Sequence, residues 1–127
     1  MMIGNVTRDN LIAGDYPLKA VEIIINGPTT GKTEFKRGDV IAQLSDGSYA
    51  LVDTTVATET NGDSAAGIPI GIITDNVTIN ADEQLITTMY VKGEFNLRIL
   101  NFGGTDTIST HSRRMIEIGL IPREPRQ

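Results

Sequence analysis

Residues 90–121 read YVKGEFNLRILNFGGTDTISTHSRRMIEIGLI, and the change of period inside this stretch decides the fold. Leu85–Lys92 alternates apolar and polar residues as a half-buried strand does, and Gly93 breaks the run. Asn96 is a good N-cap for a short helix over Leu97–Phe102, which Gly103-Gly104 would end. Thr110 then caps a second helix over His111–Ile118, with Gly119 where a left-handed C-cap residue belongs. Met115, Ile116 and Ile118 form its expected buried side, and Arg113 and Arg114 its exposed side.

Upstream the pattern is of strands. Val21–Ile25 (VEIII) is a β-branched run ended by Asn26-Gly27-Pro28. Val40–Leu44 reads as a further strand after the Gly38-Asp39 turn. Asp46-Gly47 is a strong hairpin signal that joins it to Tyr49–Val52. Residues 55–67 are small and polar and read as a surface loop. Ile68–Thr74 is strongly apolar, but Pro69 cannot donate to a ladder and Gly71 suggests a bulge or close approach. Val77–Ile79 is a short strand candidate. Residues 1–20 carry no sustained period and read as an extended arm, and Pro122–Gln127 as an extended tail. No internal repeat or low-complexity tract interrupts this order.

Composition sets the outer limits. A chain of 127 residues is most simply one domain that buries about two-thirds of its surface. Aromatics are 5% and Trp is absent, so the core must come from Ile, Val and Leu, which suits strands. There are no cysteines, which excludes disulfide frameworks and thiolate metal sites. A net charge of −5 argues against broad nucleic-acid binding, which needs clustered Lys and Arg. No apolar run approaches the roughly 20 residues that span a bilayer, and the N-terminus lacks signal-peptide blocks. These features fit a soluble intracellular or particle-associated protein.

One enzymatic signal needs weighing. VEIIINGPTTGKT (residues 21–33) places Gly31-Lys32-Thr33 after a strand and a Gly-containing loop, as in a nucleotide-binding P-loop. The motif needs four residues between its glycines, whereas only Pro28, Thr29 and Thr30 separate Gly27 from Gly31. It must also open a helix whose N-terminus holds the anion, and Gly38-Asp39 halts any helix within two turns. A polar hairpin loop is the better reading.

The remaining candidates are weaker. His111 is the single histidine, so a His-rich metal centre is impossible; at a helix start it reads as a solvated or hydrogen-bonded surface residue. Asp75, Asp82, Glu83 and Glu94 could hold a hard cation, but their spacing matches no oxygen-ligand loop. No serine sits in a nucleophile elbow. Arg113-Arg114 could meet an acidic partner, or simply form a solvated helix face.

Gly93-Glu94-Phe95-Asn96, Leu100-Asn101-Phe102-Gly103-Gly104 and His111–Ile121 together resemble the C-terminal half of the lambda-type phage head decoration family. GDVIAQLSDGSYALVD and IPIGIITDNV resemble that family's upstream order, so the likeness covers roughly residues 35–121. Residues 1–34 match it less clearly, and the NGPTTGKT loop has no place in the pattern. The resemblance implies a mainly β fold with two short C-terminal helices, a β-clip-like bent β-ribbon or incomplete barrel. It divides the chain into an arm (1–20), a decoration domain (21–121) and a tail (122–127).

The resemblance further implies a homotrimer that binds the major capsid protein at three-fold and quasi-three-fold sites on the outer surface of the virion capsid. Assembly would take place in the host cytoplasm. The arm would add a strand to an exposed capsid sheet edge, with Ile3, Val6, Leu11, Ile12 and Tyr16 as the capsid-binding candidates. No catalytic residue, cofactor or metal is expected, nor direct contact with nucleic acid or membrane. A small trimeric ligand-binding protein or enzyme of dUTPase-like architecture is the alternative, and it lacks its nucleotide-site motif order here. A generic fibre or baseplate β-module is a third reading.

Overall fold

The computed structural model describes residues 11–13 and 17–124. It is mainly β, as expected, with 41% strand, 18% helix and, among the described residues, no closed barrel; of its two α-helices only one lies near the C-terminus, where two were expected. Eight strands run in order: β1 (Lys19–Asn26), β2 (Lys32–Phe35), β3 (Val40–Gln43), β4 (Tyr49–Leu51), β5 (Gly71–Ile73), β6 (Val77–Asn80), β7 (Gln84–Asn96) and β8 (Leu120–Arg123). Helix α1 spans Thr54–Thr58 and α2 spans Ile108–Ile118. The main sheet has the order β1-β7-β5-β3-β4, antiparallel throughout, while β8 joins β7 in parallel. A separate antiparallel pair, β2-β6, packs on it.

Both faces of the main sheet are covered at its centre, which explains why β3 and β5 read as continuous apolar runs rather than alternating ones. Val40 and Ala42 point to one face and Ile41 to the other; Ile72 and Ile73 divide in the same way. The first core gathers Leu11, Val40, Ala42, Val52, Ile72, Phe95, Leu100, Met115 and Leu120 beneath α2. The second gathers Ile23, Ile25, Ile41, Ile73 and Met89 under Phe35 of β2 and Ile79 of β6. Each fully buried aliphatic or Phe side chain contributes roughly 1.5–3 kcal/mol.

Strand β7 organises the molecule. It does not stop at Gly93 but runs on to Asn96, 13 residues in all from Gln84. Beyond Gly93 it has β8 on one side and the short stretch Leu11–Ala13 on the other, where Asn96 N–H donates to the Leu11 carbonyl (2.7 Å) and Ala13 N–H to that of Glu94 (2.9 Å). Gly93 has φ +150°, and a Cβ there would sit 2.7 Å from Leu18 Cδ1 and 2.8 Å from Phe95 Cζ. Leu18 is half-exposed and could move aside; Phe95 is fully buried and could not. Gly93→Ala should therefore cost about 2–3 kcal/mol, read as a lowered denaturation midpoint with unchanged m-value.

Several local expectations are corrected. Leu97–Phe102 is a turn: Asn96 Oδ1 accepts Arg98 N–H (3.0 Å) in an Asx-turn, the same chemistry that would cap a helix. Helix α2 starts at Ile108, with Thr107 as N-cap and its N–H bonded to Thr110 Oγ1 (3.1 Å), while Gly119 is its left-handed C-cap as expected. Ile116 is 53% exposed rather than buried, and His111 takes the inner side with Met115. Residues 120–123, the start of the supposed tail included, form β8. The supposed surface loop holds α1 and a 3-10 turn at Ser64–Gly67, capped by Asp53 and Asp63. The Asp46-Gly47 turn is longer than two residues, with Leu44 N–H closing on the Ser48 carbonyl and Gly47 at φ +91°.

Candidate functional site

The most deeply buried polar constellation among the described residues lies where α1 meets the start of α2. Asp106 accepts Thr54 N–H (2.7 Å) and Thr54 Oγ1–H (2.5 Å), and its Oδ2 lies 2.8 Å from His111 Nε2. The His111 and Asp106 side chains are 2% and 3% exposed. Phe102 stacks on the imidazole at 5.5 Å and 14°. Gly103 and Gly104 make the approach possible: a Cβ on Gly103 would stand 2.9 Å from the Val52 carbonyl, and one on Gly104 2.6 Å from the Asp53 carboxylate. The Gly-Gly pair thus seats one chain segment against another rather than ending a helix.

Burial pushes the Asp106 carboxyl upward, but the Thr54 hydroxyl, His111 and the Thr54 N–H all bond the charged form. With the His111 charge they outweigh burial and hold the group below the ordinary carboxylate range. Chemically the order is Thr–Asp–His, with the carboxylate between hydroxyl and imidazole. A nucleophile needs the imidazole next to the hydroxyl. This arrangement orients and satisfies; it does not activate Thr54. His111 is therefore a buried structural partner, not the surface residue its helix-start position suggested.

The other sequence candidates lie apart. Lys32 opens β2 and pairs with Glu34 (3.0 Å), so the loop after β1 leads into a strand, where a P-loop needs a helix. Asp75, Asp82 and Glu83 sit in turns, whereas Glu94 lies on β7 and pairs with Arg123 (3.0 Å). Among the described residues no three His, Asp or Glu side chains converge to hold a metal. A shallow depression of about 260 Å³ beside β2 and β6 is lined by Glu34, Phe35, Lys36, Asn76, Val77 and Thr78.

Of the five partner-binding candidates, Ile3, Val6 and Tyr16 lie outside the described residues. Leu11 is fully buried in the first core, so its side chain is spent on this chain's own fold. Ile12, on the opposite side, is 36% exposed and bridges Phe95. Alternation along a strand explains the split, and the aperiodic sequence around Leu11 gave no sign of which residue would turn inward. Arg113 is 94% exposed and shares Glu117 with Arg114 at 3.8 and 3.7 Å. Comparison with known proteins adds no assignment: no protein-family model matches the chain, and no curated protein matches it.

Proposed function

We propose that this chain is a capsid decoration protein that binds the outer surface of a phage head as a trimer and cements neighbouring capsomers. The observation that carries the reading is the anchoring of Leu11–Ala13 along β7. Leu11 is locked in the core, and its carbonyl accepts the Asn96 N–H at the end of the longest described strand. At least ten residues precede that anchor, enough to lay one strand along a partner's sheet edge. The mainly β fold and the resemblance over residues 35–121 support the same assignment.

The energetics favour an oligomer. A short arm that buries a few aliphatic side chains gains at best about 1.5–3 kcal/mol for each before ordering costs. Three arms on one rigid body act at high effective concentration, and their modest contacts become tight attachment. An acidic surface suits a protein that faces away from a packaged genome.

Deleting residues 1–10 should leave a folded protein that no longer co-sediments with expanded heads of the virus that encodes it. Equal binding by the truncated and full chains would sink the arm reading.

A further inference from the structure

An exposed isoleucine pair on the main sheet has a glutamate beside it, and an exposed isoleucine on α2 has an arginine one turn away. On the sheet face that α2 covers, the helical layer stops near Tyr90, and past it Ile24 and Ile86 stand opposite each other across β1 and β7. They are 53% and 63% exposed, which is unusual for a directly paired isoleucine couple. Glu22, exposed, is their neighbour two residues along β1 on the same face. On α2, Ile116 is 53% exposed, and Arg113, one turn before it, is 94% exposed and held only by a 3.8 Å contact to a glutamate it shares.

Along the sequence the charge divides unevenly. Residues 92–127 carry six Lys and Arg against four Asp and Glu, a net of +2, so residues 1–91 hold −7 of the total −5.

We propose that the α2 face of one copy, Arg113 and Ile116, docks on the β1–β7 face of a second copy, with Ile116 against Ile24 and Ile86 and the Arg113 guanidinium against the Glu22 carboxylate. The occupant thus continues the helical layer over the half of the sheet that the chain's own helix leaves open. The contact is head-to-tail, and head-to-tail contacts that close make rings. It supplies the apolar centre of an interface; a stable one needs about 800 Å² on each partner, so a polar rim must surround it. β1 sits at the sheet edge, and among the described residues only β7 pairs with it, so backbone approach from outside is open as well. The inference rests on the self-association proposed above and names its surfaces.

The chain has no cysteine, so introduced thiols report cleanly. Ile86→Cys and Ile116→Cys are prepared separately, one with an affinity tag, in purified protein without capsids. Each alone should stay monomeric on non-reducing gels after mild oxidation, whereas their mixture should give the tagged–untagged disulfide dimer, since the two Cα atoms come within bonding range. Glu22→Lys in the Ile86→Cys protein should cut the yield several-fold, and Arg113→Glu in the other should restore it. Homodimers from either variant alone, no disulfide in the mixture, or charge reversal without effect would overturn the contact. Because no capsid is present, such failure leaves the decoration reading to its own co-sedimentation test.

Discussion

Removing residues 1–16 should lower the unfolding midpoint by on the order of 10 °C, while removing residues 1–10 leaves it close to that of the full chain. The longer deletion takes away Leu11, which has no exposed surface and packs in the first core with Phe95, Leu120 and Met115. It also strips two backbone hydrogen bonds from the far half of β7. Emptying a buried Leu site costs about 2–5 kcal/mol, and each lost bond about 1 more. Leu11→Ala should reproduce most of that loss at full length, about 3 kcal/mol by denaturant titration. Ile12→Ala, one residue on and facing out, should stay within about 0.5 kcal/mol of the parent. A silent Leu11→Ala would mean that this stretch is not part of the folded domain, and that the arm is longer than ten residues.

Asp106→Ala should cost a comparable amount, about 3–5 kcal/mol, because it leaves a buried imidazole, a hydroxyl and a backbone N–H without their shared acceptor. Thr54→Ala removes one donor from the same cluster and should cost nearer 1 kcal/mol. The carboxyl is held below its ordinary value in the folded chain. Its contribution is therefore complete above the unfolded value and is lost as pH falls through the folded one. Asp106→Asn should flatten that acid limb in a series of denaturation midpoints from neutral to acid pH. An acid limb as steep as the parent's would remove Asp106 from the account. Asp46 and Asp63, held low by bonds from Ser48 and Ser45 respectively, titrate with the same sign but are solvent-exposed and weakly coupled to folding.

Strands bounded by strong punctuation could be read from the sequence. VEIII before Asn26-Gly27-Pro28 became β1, and the Asp46-Gly47 turn joined the right two partners. Gly119 ends α2 because only its left-handed geometry was in question. What could not be read depended on distant neighbours. Asn96 has one side-chain oxygen that can cap a helix or close an Asx-turn, and the choice depends on Leu100 and Asn101 packing back on β3. His111 looked like a surface residue since its partner Asp106 is not at helical spacing, and Thr54 lies 52 residues before Asp106. Pro122 suggested a tail, yet one missing N–H is tolerated in a strand at the edge of a sheet. Ile116 and His111 traded places because period alone does not give the phase of a short helix.

The far half of β7 also dictates when the chain can finish folding. Its ladder partners are Leu11–Ala13 and Leu120–Arg123, drawn from opposite ends of the sequence. During synthesis the first of these leaves the ribosome more than a hundred residues before the second. Until Leu120 is free, Phe95 and Met115 lack the residue that closes the first core over them. Pairings of such large sequence separation are slow to form and leave strand edges open meanwhile. A nascent chain stalled with its residues emerged only to about Met115 should therefore still be sensitive to protease around β7, even with β1 to β6 already out.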